Sequence, residues 1–184
     1  MMRTVLIAWV LLMADTALSG ESFEGENLLI EPPDSETYET YVKNEPGWAS
    51  TMWVDVETKG GDTITVYILS KYRDDLTGFR QSQDQPGQDS CDRFDSRSLD
   101  DTDRNGYKSV FWATECQLGD TAIKSIQLAI QGRDSFYHVR KLWKREVSES
   151  EYAEWNQKLA ATSLCDARRK KKHPCPDGFE KVED

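Results

Sequence analysis

An antiparallel β-sandwich with one C-terminal α-helix packed on it is the fold class this sequence predicts, and three features of the chain predict it. First, Met52, Val54 and Val56 alternate with polar Asp55 and Glu57, Lys59-Gly60-Gly61-Asp62 supplies a turn, and Ile64, Val66 and Ile68 alternate with Thr63, Thr65 and Tyr67. Period-two alternation of β-branched and aromatic residues around a glycine pair marks a hairpin with one buried face. Second, apolar and aromatic runs at Tyr107–Ala113, Ile123–Ile130 and Phe136–Val147 are separated by Leu118-Gly119-Asp120 and by Gly132-Arg133-Asp134-Ser135. Short strands punctuated by such turns are the pattern of a sandwich of about seven or eight strands. Third, the period changes after Ser148: Tyr152, Trp155, Leu159 and Ala160 fall at helical spacing, and Ser148 with Glu151 fits a capping box. A helix from Glu149 to about Ser163 follows, its Tyr152–Trp155–Leu159 stripe turned to the β body.

In chain order, residues 1–19 read as a secretory leader. Met1-Met2-Arg3 precedes an apolar run from Val5 to Met13, then the small and polar stretch Ala14–Gly20, with cleavage expected after Ser19. A membrane anchor needs about 20 apolar residues; this run is shorter and Asp15 interrupts it. No later stretch is apolar enough to span a bilayer, so a secreted, extracellular chain with no transmembrane segment is expected. Residues 20–47 form an acidic lead-in with Pro32, Pro33 and Pro46 and the short apolar Leu28-Leu29-Ile30, read as irregular or edge-pairing. The β domain runs from 48 to 147. Within it, residues 81–106 are rich in Gln, Asp, Ser and Gly and are expected to form a long polar surface loop tethered at Cys91. The helix segment, 148–164, leads to a disulfide-tied basic tail, 165–184. No internal repeat is present.

The four cysteines, Cys91, Cys116, Cys165 and Cys175, are an even number in a chain bound for an oxidising compartment, which points to two disulfides among three connectivities. The layout of elements favours Cys91–Cys116 and Cys165–Cys175. A zinc site is disfavoured, because no Cys-x-x-Cys pair exists and His138 and His173 lack ligand spacing. No Asn-x-Ser/Thr sequon occurs, so N-glycosylation is not expected.

The formal net charge is -10, and it is uneven: residues 20–106 carry 8 basic against 20 acidic side chains, residues 107–184 carry 14 against 12. An acidic protein repels nucleic acid at long range, which counts against that class of partner, so none is expected. Catalytic signatures are missing: no Gly-x-Ser-x-Gly elbow, no His-Glu-x-x-His, no phosphate-cradling glycine loop. No catalytic residue is assigned; His138 has no nucleophile whose context marks it, and the cysteines are better used as bridges. Asp101-Thr102-Asp103-Arg104-Asn105-Gly106 reproduces the opening of a calcium loop, with oxygen donors at alternate positions before a glycine. Asp101, Asp103 and Asn105, with Asp100 beside them, are therefore candidate calcium ligands, although Trp112 occupies the place of the bidentate Glu that a helix-loop-helix site requires. A solvated turn is the competing reading, and no other cofactor is implied. Arg168, Arg169, Lys170, Lys171 and Lys172 form the one dense basic run. It reads as a solvated loop, as a contact for a sulfated glycan or acidic partner, or as a processing site.

The segment Trp53-Val54-Asp55-Val56-Glu57-Thr58-Lys59-Gly60-Gly61-Asp62 into Ile64-Thr65-Val66-Tyr67-Ile68 resembles the opening hairpin of PLAT domains, and Leu118-Gly119-Asp120, Ile123–Ile130 and Trp143 before Val147 resemble that family's later strands. The likeness covers residues 50–147; the disulfides and the Gln/Asp-rich loop depart from the family pattern. It implies a β-sandwich that docks, without catalysis, on lipid surfaces or partner proteins. A closed barrel of lipocalin type is the alternative fold. The functional expectation is a secreted, non-catalytic binding protein whose partner is an extracellular protein, a glycan or a lipid surface. Carriage of a small hydrophobic ligand is the first alternative and a secreted hydrolase the second.

Overall fold

The computed structural model describes residues 25–70, 72 and 75–176; the expected leader and the end of the tail lie outside them. In chain order the elements are β1 (Glu26–Leu29), β2 (Tyr38–Glu45), β3 (Trp48–Asp55), β4 (Asp62–Ser70), α1 (Leu76–Ser90), β5 (Arg93–Asp100), β6 (Ser109–Leu118), β7 (Thr121–Gln131), β8 (Ser135–Trp143), α2 (Glu149–Ala161) and β9 (Ser163–Asp166). A 3-10 turn, Ala167–Arg169, follows β9.

Among the described residues every strand pairing is antiparallel, in two sheets: seven strands ordered β2-β3-β4-β8-β7-β6-β5, and the pair β1-β9. The seven strands form two meanders, β2-β3-β4 and β5-β6-β7-β8, joined where β8 pairs with β4. Among the described residues neither β2 nor β5 has an outer partner, so the closed-barrel alternative is overturned: the sheet has two edges.

The expected hairpin is present, with Trp53 opposite Ile64 and Thr51 opposite Val66, but the expected face of β3 is inverted: Trp53 and Asp55 are buried, while Met52 and Val56 are exposed. Its turn closes through Gly61 N–H donating to Thr58 O, with Lys59 and Gly60 both at positive φ, a geometry glycine adopts without penalty. Alternation sends Ile64 and Val66 to one face of the sheet, where α2 and the β1-β9 pair cover them with Trp155, Leu159 and Leu164. The opposite face carries Val110, Trp112, Ala129 and Phe136 beneath Phe79 of α1. β6, β7 and β8 are thus buried on both sides, which is why they read as near-continuous apolar runs.

Helix α2 starts as expected, with Ser148 Oγ accepting from Glu151 N–H at 3.2 Å, and ends at Ala161 because Ser163 begins β9. Of the two readings of the lead-in 20–47, irregular or edge-pairing, the described residues follow the second, with β1 paired with β9 and β2 forming an edge of the main sheet. A further expectation is corrected. The expected polar loop 81–106 contains the larger part of α1 and all of β5. Helix α1 is polar because it buries little beyond Phe79 and Asp84. It is held by its cap, Gly78 N–H donating to Asp75 Oδ1 at 2.6 Å, and by the buried bond from Trp112 Nε1 to Asp84 Oδ1 at 3.1 Å. The Cys91–Cys116 bridge ties its C-terminal end to β6.

Candidate functional site

The two disulfides pair as the layout of elements favoured, Cys91–Cys116 and Cys165–Cys175. The second closes a short loop on which the whole basic run stands, and the loop is fastened from three directions. Its neck is closed by Asp166 N–H donating to His173 O at 3.0 Å, and its turn by Lys172 and His173 N–H groups donating to Arg169 O at 2.9 and 3.0 Å. Arg168 Nε and Nη2 donate to the Asp166 carboxylate at 2.9 and 3.0 Å, and Arg168 also pairs with Asp134. Those bonds raise the Arg168 guanidinium still further above its usual range, and the same Arg168 contact holds the Asp166 carboxyl below its usual range.

The third fastening is Asn105. Its side-chain amide donates to Leu164 O at 2.7 Å and to Pro174 O at 3.3 Å, its own carbonyl accepts from His173 Nδ1 at 2.7 Å, and the His173 ring lies 4.2 Å from that of Tyr107. Asn105 sits at φ 51°, the left-handed region that asparagine tolerates better than most residues. The preceding Arg104 is buried and donates to Ala160 O, so the segment is anchored to the end of α2 as well.

The calcium-like motif therefore serves here as a buttress. Asp101 accepts from Ser98 at 2.9 Å, Asp100 from Thr102, and Asn105 is spent on the tail; Asp103 is exposed. Among the described residues no group of three or more His, Cys, Asp and Glu side chains is gathered to hold a metal ion. Arg169, Lys170, Lys171 and Lys172, by contrast, are exposed and make no ion pair among the described residues. Arg168 is thus the hinge pin of the run, and the four residues after it are exposed charges with no ion pair among the described residues.

Two other polar clusters were candidates for chemistry, and the centre of each is sealed. Lys141 and Asp62, 0% and 1% exposed, form an ion pair beneath α2. Lys141 Nζ also donates to Tyr38 Oη at 3.0 Å and lies 4.6–5.3 Å from the Tyr38, Trp143 and Trp155 rings. Arg145 bridges Asp62 at 2.9 Å and Glu151 at 2.6 Å, and Trp143 Nε1 donates to Glu151 at 2.8 Å. Burial pulls the Lys141 ammonium below its usual range and, with Asp62 beside it, pushes the Tyr38 phenol up. His138, 2% exposed, is hydrogen-bonded through Nε2 to Gln127 Oε1 at 3.0 Å among the rings of Tyr67, Phe79 and Trp112. Burial pushes its pKa down to about 3, so it stays neutral. Lys141, Asp62 and His138 are themselves closed off from solvent, while Arg145 and Glu151 at the cluster's rim are partly exposed.

The Lys141–Asp62 pair escaped the sequence reading, yet a signal existed: Lys141 falls at an inward position of the Tyr137–Val139–Lys141–Trp143 alternation, and an inward charge demands a buried partner. Arg104 and Asn105 had no such signal, since their partners lie 56 and 59 residues away.

Neither a protein-family model nor a curated protein sequence matches this chain. Similar solved structures include PA94, a Pseudomonas aeruginosa protein of unknown function, at 10% identity and TM-score 0.42, covering 73% of this chain and 78% of that one. The solution structure of cyanobacterial PsbP from Synechocystis is similar at 14% identity and TM-score 0.45, covering 80% and 95%. A Bacteroides thetaiotaomicron protein is similar at 10% identity and TM-score 0.43, covering 86% and 51%.

Proposed function

We propose that this chain is a secreted, non-catalytic binding protein that holds a sulfated glycan on the disulfide-closed loop Cys165–Cys175. The observation that carries this reading is the division of labour in the basic run: Arg168 is spent on Asp166 and Asp134, while Arg169–Lys172 are exposed and, among the described residues, make no ion pair, on a loop fastened by a disulfide, by Asn105 and by Arg168. Three of those four cations are lysines, point charges without the planar fork that selects a single carboxylate. An array of that kind reads charge density, which a repeating sulfated polymer supplies. The net charge of -10 repels a polyanion elsewhere on the surface and confines contact to this loop. The leader-like start of the chain and the two disulfides support an extracellular setting. The sealed His138 and Lys141–Asp62 clusters support the non-catalytic part.

Retention on immobilised heparin tests the reading. Each lysine at an anionic surface contributes roughly 1 kcal/mol, so Lys170→Ala, Lys171→Ala and Lys172→Ala together should weaken binding about 100-fold at about 0.15 M salt. Equal retention of the triple variant, or no retention of the native protein, would overturn it.

One observation favours a second reading, carriage of a small apolar ligand. A groove of ≈ 620 Å³ runs between Leu28–Glu31 and the α2 residues Glu154, Gln157, Lys158 and Ala161, a volume within the usual range for ligand sites. Native mass spectrometry of protein secreted from a eukaryotic host separates the two. The bare polypeptide mass supports the glycan reading, and a retained small-molecule adduct supports the carrier.

A further inference from the structure

The two edges of the seven-stranded sheet are unlike. β5 carries a register shift between Ser98 and Asp100, a break of the kind that blunts an edge against pairing. β2 is straight: its register with β3 runs without interruption from Tyr38↔Asp55 to Glu45↔Trp48, and it contains no proline. Every residue from Glu39 to Glu45 is exposed, and the exposed apolar side chains Tyr41, Val42 and Met52, at 51%, 57% and 36%, gather on β2 and its neighbour.

The backbone pattern limits what can add to this edge. Val56 N–H donates to Thr37 O at 3.1 Å, so in an antiparallel ladder the odd-numbered residues of β2 turn their N–H and C=O groups to β3. Thr40, Val42 and Asn44 turn theirs outward. A second β2 lying antiparallel must match outward residues with outward residues, which permits only registers two residues apart. One of them places Tyr41 on Tyr41 of the second copy at a two-fold axis, Thr40 opposite Val42, and Glu39 opposite Lys43, twice by symmetry. Sliding by two residues in one direction sets Glu39 against Glu45; sliding the other way leaves Lys43 facing Thr37. Of these three registers only the first pairs opposite charges, and it also pairs the aromatic and β-branched residues that stabilise adjacent strands.

We propose that two copies of this chain associate through β2 in that register, extending the antiparallel sheet across a two-fold axis at Tyr41. Glu39 is held by Tyr41 Oη at 2.7 Å and Lys43 lies 3.4 Å from Glu45 in the single chain, so both are already placed on the face where the cross-pairs form. The interface is isologous and closes at two copies, because pairing consumes the free edge of each.

Sedimentation velocity of the disulfide-intact protein over about 1–500 µM at low salt tests this, a range suited to a small interface. The native chain should show a concentration-dependent dimer. Lys43→Glu sets two like-charge pairs across the axis and should raise the dissociation constant about tenfold or more; Glu39→Lys should do the same. Glu39→Lys with Lys43→Glu restores complementarity and should recover the dimer. Thr40→Pro removes an outward N–H without touching the ladder to β3, and should abolish association with thermal unfolding unchanged. A native protein that is monomeric throughout, or a dimer indifferent to Lys43→Glu, or a charge swap without recovery, would overturn the proposal.

Discussion

His138 keeps a neutral imidazole whose Nε2–H donates to Gln127 Oε1, and the three aromatic rings around it offer a second, charging proton no compensating charge. Its folded pKa of about 3 lies below the ordinary value of 6.5. Between those two values the unfolded chain binds a proton that the folded chain does not, so stability rises with pH across that window and falls on acidification through it. The loss by pH 4.5 should be roughly 2–3 kcal/mol. Most carboxylates titrate below that point, so His138→Gln should show a distinctly shallower fall in Tm between pH 6.5 and 4.5. Equal slopes would show that His138 is not the group responsible. Asp62→Ala acts through charge instead: it leaves Lys141 buried among aromatic rings without its carboxylate, and should cost about 3–5 kcal/mol in denaturant unfolding. At this scale the alternation of β8 made Lys141 legible as inward-facing, whereas its partner was not, because Asp62 reads in the sequence as an ordinary turn residue.

At the scale of elements, what was legible followed the strength of local pattern. The β3-β4 hairpin and α2 each carry a turn or cap of the right chemistry and a clear period, and both appear where those features put them, although β3 buries Trp53 and Asp55 rather than the expected Met52, Val54 and Val56. β2, by contrast, is exposed over nearly its whole length and has no buried stripe to announce it. Helix α1 failed for a related reason: Gly78, Pro86, Gly87 and a run of Gln, Ser and Asp read as loop, and the interactions that hold it are a bond to Trp112, a disulfide and close packing on β5. Gly87 shows how close. A Cβ there would lie 2.3 Å from Phe94 Cε2. Alanine is the better helix former by about 1 kcal/mol, yet Gly87→Ala should lower stability, and unfolding of that variant compared with Gly78→Ala, whose Cβ meets only Asp75 Oδ1 at 3.4 Å, checks the sign.

Across the whole molecule, the chain is organised as two meanders whose junction, β4 with β8, no local signal announces: the partners are Asp62–Ser70 and Ser135–Trp143, with a helix and three strands between them in sequence. The same long-range folding brings Asn105 to the tail and turns an apparent ion-binding loop into the support of a basic one. Removing the Cys165–Cys175 bridge by Cys165→Ser with Cys175→Ser should cost about 2–3 kcal/mol by loop-closure entropy and should weaken polyanion binding by loosening the loop, with the seven-stranded sheet intact by circular dichroism.

If the pinned basic loop is the contact surface, titrating isotopically labelled protein with a heparin-derived oligosaccharide should perturb backbone amides chiefly at residues 167–173, with smaller shifts at the supporting Asn105–Tyr107. Shifts centred on the Leu28–Glu31 and Glu154–Ala161 groove, or none at saturating oligosaccharide, would rule the loop out.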